Sequence, residues 1–472
     1  MKKAFFLFIT ALGGVLALTG GTGCATIIPP QGGPRDSLPP KLVKATPAEG
    51  AVNVNTRTIE LTFDEFVDIS REGGGELVMS PLYTKRPDVR TRLRTVTIEL
   101  KDSLEPNTTY SFNFDGAIKD INEGNTLRNF TYTFSTGPAL DSLTYSGSVQ
   151  LAETGGIDTT LTVALYRNLR DSAVVLESPR YITRVNGSGN FTFRNLPGGT
   201  FAVYAFDDKS RTRRYLSKSQ LFAFADSPIV VRPGAPELRL FAYVEQPVAA
   251  AGANGARTAP QPATDRRLKY TPAVTTAQEL QGDYRINFDN RVRSLDSGKV
   301  RLVRDSVFTE VPRRLSLDST GRVLAVRAAW ASGERYALIL GKDFATDTTG
   351  RSQLRNDTLR FAAKKTSDYG NLLLRFRNVK AGLNPVLQMI QNNSVVFSAP
   401  IGSGELSRAL FIPGDYELRV LFDTNGNGKW DPGAFFNGRR QPEIVVPVDR
   451  RLVVKPDIEN EIEIAVPDMP RR

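Results

Sequence analysis

Residues 58–64 read Thr-Ile-Glu-Leu-Thr-Phe-Asp, and this short stretch sets the architecture. Ile59, Leu61 and Phe63 fall on one side of a period of two, with Glu60 and Thr62 on the other. That is the alternation of a strand with one face against a core and one in water. It recurs at Val96, Ile98 and Leu100, at Tyr110, Phe112 and Phe114, and at Phe130, Tyr132 and Phe134. Gly, Pro, Asn and Asp turns separate such runs every 8–12 residues or so, and no segment keeps a helical period. Short strands at this spacing predict β-sandwiches of about 100 residues each. A chain of 472 residues has room for four in series.

An internal repeat orders them. Ile59-Glu-Leu-Thr-Phe-Asp64 matches Tyr284-Arg-Ile-Asn-Phe-Asp289, and each is followed by a Tyr-led strand, Tyr110–Phe114 and Tyr336–Leu340. Lys119-Asp120 then aligns with Lys342-Asp343, and Leu127-Arg128-Asn129-x-Thr131 with Leu354-Arg355-Asn356-x-Thr358. Downstream, the run ending Phe201–Asp208 matches the run ending Tyr416–Asp423, each entered through a Pro-Gly turn. The expected layout is A–B–A′–B′, an all-β tandem array with domains at 39–137, 140–245, 267–366 and 367–466. Residues 246–266, rich in Ala, Pro and Gly, read as a semi-flexible linker. The sequence leaves open whether the array is straight or folds back there.

The N-terminus has Lys2 and Lys3, an apolar run from Ala4 to Leu18, and small residues up to Cys24. It resembles a bacterial lipoprotein signal, which implies removal of residues 1–23 and acylation of Cys24. Residues 24–38 read as the lipidated cysteine and its tether. Beyond the signal no apolar stretch approaches the ~20 residues that span a bilayer, so lipid would be the membrane attachment.

The segments Pro39-Pro40-Lys-Leu-Val-Lys-Ala-Thr-Pro47, Phe63-Asp64-Glu65-Phe66, Ser80-Pro81-Leu82 and Ala117-Ile118-Lys119-Asp120 resemble the SbsA-type bacterial Ig-like domain of Bacteroidota lipoproteins. Gly189-Asn-Phe-x-Phe193 and Leu196-Pro-Gly-Gly-Thr-Phe201 resemble carboxypeptidase-regulatory or transthyretin-like sandwiches. These resemblances imply a non-enzymatic module on the outer membrane, facing either the periplasm or the exterior.

Composition narrows the chemistry. The chain has no histidine and one cysteine, which excludes a Ser-His-Asp triad, a histidine base and a histidine metal ligand. With Cys24 consumed by lipid, there is no disulfide, thiol nucleophile, zinc site or iron–sulfur site. Asp64 and Glu65 neighbour one another on one strand and point to opposite faces, so they do not flank one glycosidic bond. They and Asp120 read as residues that solvate strand ends. The net charge is +11, but the basic clusters Arg211-Thr-Arg213-Arg214, Arg313-Arg314 and Arg439-Arg440 are short. The aromatics alternate inward, so a nucleic-acid stripe is not expected.

Two motifs remain. Asp423-Thr-Asn425-Gly-Asn427-Gly428-Lys429-Trp430-Asp431 fits the first half of an EF-hand-type loop. The side chains of Asp423, Asn425, Asn427 and Asp431 and the Lys429 carbonyl would hold Ca²⁺ weakly, because position 12 is Ala434. The same residues also suit a plain Asx/Gly turn. Secondly, the triplet Asp-[Ser/Thr]-[small or aliphatic] recurs at nine places and resembles the O-glycosylation acceptor of exported Bacteroidota proteins. Its hydroxyls are Ser37, Ser103, Ser142, Thr159, Ser172, Ser306, Ser319, Thr348 and Thr358. Turn capping by the aspartates accounts for the pattern equally. The expected role is a structural or binding module with an envelope protein or glycan as partner. An adhesin-like surface lipoprotein is the alternative, and an enzyme with a carboxylate pair a third reading.

Overall fold

The computed structural model describes residues 36–69, 77–114, 116–246, 266–274, 277–305, 307–402, 404–436 and 438–471. Cys24, the signal, most of the tether, the linker almost entirely, and Ser306 lie outside the described residues. The chain divides into a unit that ends at Asp141 and a unit that starts at Ser142. Both are all-β sandwich structures.

In the first unit, Leu42–Thr46, Thr58–Phe63, Thr95–Glu99 and Asp88–Arg92 pair in that order, all antiparallel. A second sheet runs Thr131–Ser135, Thr109–Asn113, Val78–Ser80, and a small third one joins Val67–Ile69, Ile118–Asp120 and Thr126–Leu127. The alternation does what it predicts: Ile59, Leu61 and Phe63 are at most 1% exposed, and they share a core with Phe112, Phe114, Tyr132 and Phe134. Tyr110 stacks on Phe134 at 5.4 Å, and its hydroxyl accepts the Glu105 N–H at 2.8 Å. The leading tyrosine therefore satisfies a turn five residues upstream while its ring fills the core.

The second unit contains three sandwiches. The first packs Asn190–Leu196, Leu143–Leu151 and the parallel Leu238–Ala242 against Tyr181–Arg184, Leu161–Tyr166, Gly199–Asp207 and Phe222–Phe224. The second has Tyr270–Pro272, Tyr284–Phe288, Val323–Ala328 and Arg313–Leu317 in one sheet. Its other sheets are Ala277–Gln278, Asp357–Ala363, Arg335–Leu340 and Val300–Arg304, and the pair Val292–Leu295 with Ala345–Asp347. The third packs Glu405–Phe411, Gly370–Arg377 and the parallel Glu459–Ala465 against Ser394–Pro400, Pro385–Gln391, Gly414–Phe422 and Ile444–Val454.

Serial strand orders match in pairs. Setting aside the added strand Ala277–Gln278, the second sandwich repeats the order of the first unit in its two larger sheets, and its third sheet keeps two of the three strands, without a counterpart of Thr126–Leu127. The Tyr336 hydroxyl accepts the Ala331 N–H at 2.8 Å, five residues back, as Tyr110 does. The first and third sandwiches of the second unit share the parallel-edged three-stranded sheet. One detail departs from the sequence alignment. Ile118–Asp120 occupies the place of Ala345–Asp347, so Asp120 corresponds to buried Asp347 and not to exposed Asp343.

Within the second unit, the second and third sandwiches are pinned at their junction. Glu279 accepts from Lys364 Nζ and, at 2.6 Å, from the Tyr369 hydroxyl, which in turn accepts the Leu280 N–H at 2.8 Å. The third sandwich also meets the first, where Phe435 and Ile444 share a core with Tyr204, Phe222 and Tyr243.

Candidate functional site

The hairpin between Gly414–Phe422 and Ile444–Val454 carries the Asp/Asn/Gly motif on its first half and a clamp on its second. Strand Gly414–Phe422 delivers Asp423 directly into the loop, 2% exposed. Its carboxylate accepts the N–H groups of Gly426 at 2.8 Å, Asn427 at 3.3 Å and Gly428 at 2.6 Å. Gly426 and Gly428 have φ of +74° and +75°, which only glycine adopts without cost. Asp431 accepts the side-chain amides of Asn425 and Asn427, both at 2.6 Å. The structure thus brings Asp423, Asn425, Asn427 and Asp431 together by hydrogen bonds within one turn. Lys429 contributes its N–H to Asn427 at 2.7 Å.

Sequence reasoning missed Glu443. Only 4% exposed, it accepts the Thr424 N–H and hydroxyl at 2.8 Å and the Asp431 N–H at 3.0 Å. Its carbonyl accepts the Trp430 indole N–H at 2.9 Å. The signal was out of reach because Glu443 lies twelve residues beyond Asp431, across the intervening clamp. Among the described residues no group of three or more Asp, Glu, His or Cys side chains is arranged to hold a metal. The Asn425 and Asn427 amides share Asp431 Oδ2, so that oxygen is engaged within the loop.

The clamp begins at Gly433. A Cβ there would lie 2.6 Å from Tyr243 Cζ and 2.8 Å from the Arg440 carbonyl, so glycine lets the loop lie flat on the first sandwich. Phe435, 0% exposed, enters an aromatic cluster of that sandwich: Phe222 and Phe224 at 5.0 Å and Tyr204 at 5.5 Å. Arg439 lies over the rings of Phe224 and Phe435, pairs with Asp171, and donates to the Ala225 carbonyl at 2.7 Å. Burial raises the Tyr204 hydroxyl pKa, and Asp171 adds to it. Gln441 donates to the Phe224 carbonyl at 3.0 Å and to Asp226 at 2.7 Å. On the other side the Val445 N–H donates to the Ala152 carbonyl at 2.8 Å. Arg439, read from sequence as part of a basic surface cluster, is instead a half-buried anchor.

Other expected roles shift as well. Asp120 does not solvate a strand end: it is 1% exposed and accepts the N–H groups of Glu123, Gly124 and Asn125 at 2.6–2.9 Å. Asp64 lies just past its strand and accepts the Lys41 N–H at 2.8 Å. The pKa of Glu65 is raised by burial first, then by Asp120, Asp64, Asp36 and Glu123. Phe436 is 45% exposed while its neighbour Phe435 is fully buried, so the pair is no flat aromatic platform.

The triplet hydroxyls have one common presentation. Ser37, Ser103, Ser142, Thr159, Ser172, Ser319 and Thr348 are exposed, Thr358 is half-buried, and none of these hydroxyls bonds to a described residue. The aspartates before several of them hold turns. Asp102 accepts the Thr84 and Lys85 N–H groups, Asp318 those of Arg322 and Val323, and Asp347 those of Thr349 and Arg351. Folding the aspartate inward turns the next side chain out.

Residues 36–136 match the model of a bacterial Ig-like domain. No curated protein sequence matches the chain. Solved structures similar to parts of it include the N-terminal part of the bacterial S-layer protein SbsC, at 9% identity and TM-score 0.20, covering 39% of this chain and 45% of that one. The Bacillus anthracis TIE protein aligns at 11% identity and TM-score 0.16 over 93% and 76% of the two chains. BcpA, the major pilin subunit of Bacillus cereus, aligns at 9% and 0.16 over 69% and 99%. The first region of this chain thus carries a bacterial Ig-like domain, in a protein built of β-sandwiches throughout its described length.

Proposed function

We propose that this chain is an exported protein held to the bacterial outer membrane through acylated Cys24, and that it serves as a non-enzymatic structural or binding module of the envelope. The observation that carries the reading is how its buried carboxylates are used. Asp120, Asp347, Asp423 and Glu443 are each at most 4% exposed, and all are spent on holding turns. A catalytic carboxylate presents an oxygen to substrate, whereas both oxygens of each of these four already accept hydrogen bonds from the protein itself. The second unit is braced internally, with one of its sandwiches clamped to another and the remaining one pinned by Glu279. The paired strand orders support an A–B–A′–B′ doubling of a two-domain ancestor. Among the described residues no helix is long and apolar enough to cross a membrane, which suits a lipid anchor.

Two accessory properties belong to this reading. The Asp423–Asp431 loop is a weak Ca²⁺ site, nearer the ~10⁻⁴–10⁻³ M of extracellular modules. Adding millimolar Ca²⁺ is expected to raise the melting temperature and change the fluorescence of Trp430, which is tied to the loop through Glu443; no change in either would refute it. The exposed triplet hydroxyls carry O-glycans on native protein. Intact mass is expected above polypeptide plus lipid, and the bare mass would reject this.

The reading as a whole is tested by protease treatment of intact cells beside a Cys24→Ser variant. Cleavage only after the outer membrane is opened supports an envelope scaffold. Shaving from intact cells supports the adhesin-like alternative, with a glycan or protein ligand. A Cys24→Ser protein that still fractionates with membrane removes the anchor.

A further inference from the structure

The first sandwich of the second unit has a cavity of about 490 Å³ beside the clamp that nothing above uses. Its floor is apolar: Phe224, Phe241, Ile229 and Tyr145 are 2–7% exposed. One wall is Gln441 of the third sandwich, held by Phe224 and Asp226, so the cavity is complete only when the clamp is seated. A volume in the ~300–1,000 Å³ range with convergent polar groups is that of a ligand site.

Three independent features point to one kind of occupant. The Tyr145 ring is 5% exposed and its hydroxyl, which has no hydrogen-bond partner among the described residues, is accessible from the cavity it lines, a donor open to a ligand. Arg232 and Arg239 stand exposed on the rim with no carboxylate partner among the described residues. Finally, Leu238–Ala242 and Ile229–Val231, which supply rim and floor, are each paired along one side only. An open strand edge offers main-chain donors and acceptors to another strand.

We propose that this cavity binds an extended peptide segment of a partner protein that carries a carboxylate side chain next to an apolar one. The peptide lies along Leu238–Ala242 and adds a strand. Its apolar side chain covers Phe224 and Phe241, and its carboxylate is taken by Arg232 and Arg239, guanidinium groups suited to bidentate pairing. The Tyr145 hydroxyl donates to a peptide carbonyl. Glu237, also on the rim without a cationic partner, opposes a second carboxylate beside the first. Specificity is therefore for a single acidic residue and not for an acidic run. An anionic sugar would use the guanidinium groups but leave the strand edge unsatisfied. This inference goes beyond the envelope reading and does not depend on anchoring.

The test is selection of a displayed library of random linear peptides on the full chain. Expected is a consensus of one Asp or Glu flanked by β-branched or aromatic residues. Its binding should fall at least tenfold with Arg239→Glu, whose exposed side chain leaves the fold intact by circular dichroism. A similar loss is expected with Gln441→Ala, and a severalfold loss with Tyr145→Phe. No enrichment, a basic consensus, or binders indifferent to Arg239→Glu would overturn the proposal. So would binding of an acidic polysaccharide, abolished by Arg239→Glu, in the absence of any selected peptide.

Discussion

Phe435→Ala is expected to destabilise the second unit by about 3–5 kcal/mol, the usual cost of truncating a fully buried phenylalanine. The ring contributes burial and four aromatic contacts, to Tyr204, Phe222, Phe224 and Phe436, and it forms one of the two surfaces on which Arg439 rests. Alanine leaves a cavity lined by aromatic faces that are fixed in strands and cannot close over it. Arg439 loses half its stacking and becomes a less shielded partner for Asp171. The measurement is denaturant unfolding followed by Trp430 fluorescence, since Trp430 lies in the same hairpin. The midpoint should drop, and a separate early transition should appear as the third sandwich disengages from the first. Phe436→Ala is the control. With that ring 45% exposed, its loss should cost no more than about 1 kcal/mol. Equal effects from the two variants would mean that Phe435 is not a shared core residue.

That clamp shows where sequence reading stopped. Strand alternation announced the cores, because a period of two forces Ile59, Leu61 and Phe63 to one face whatever lies opposite. The repeated sequence pattern at 59–134 and 284–361 goes with similar strand orders in the two larger sheets of each region, since similar alternation buries a similar stripe. Phe435 and Arg439 carry no periodic signal. They sit in an irregular loop whose partner surface, Phe222 to Ala225 and Asp171, lies more than two hundred residues earlier, and only the tertiary fold brings the two together. Locally, Arg439-Arg440 reads as a solvated basic pair, and the aromatic face on which Arg439 rests is invisible. Glu443 was hidden likewise, since a carboxylate ligand or brace is recognised by spacing and the clamp interrupts the spacing. The Asp423 loop itself was legible because the hydrogen bonds among its own residues span at most six residues. Asp120 was misjudged because burial at a strand end depends on the adjoining turn: Glu123, Gly124 and Asn125 wrap back over it.

Asp120→Ala is accordingly expected to destabilise the first unit by about 2–4 kcal/mol, because three backbone N–H groups lose a charged acceptor and stay shielded from water. The pH dependence follows from two opposing groups. Burial pushes the Asp120 carboxyl up, but hydrogen bonds from the backbone of Gly124, Glu123, Asn125 and Asn122 outweigh it, and the net pKa lies below the ordinary value of 3.8. An acid whose pKa is lowered by folding stabilises the fold at any pH above its unfolded value, and that stability is lost as pH falls through the folded value. Glu65 has the opposite sign. Its pKa is raised above 4.5, by burial first and then by Asp120, so protonating it on acidification relieves a cost. The wild-type unit should therefore hold or gain stability slightly as Glu65 takes up its proton, then lose it below about pH 4 as Asp120 protonates. Asp120→Ala removes the late loss and brings the Glu65 pKa down, which flattens both limbs. Amide hydrogen exchange across residues 118–127 resolves this unit within the intact chain. Parallel wild-type and variant profiles between pH 2 and 6 would show that Asp120 holds its turn without coupling to protons. Asp347→Ala should behave the same way in the second unit, because that carboxylate, 1% exposed, also has a pKa lowered by its hydrogen bonds against the push of burial. It differs in one respect. Asn290 donates to Asp347 at 3.2 Å from outside the turn, so its loss also frees the neighbouring strand Val292–Leu295, and protection should fall there as well.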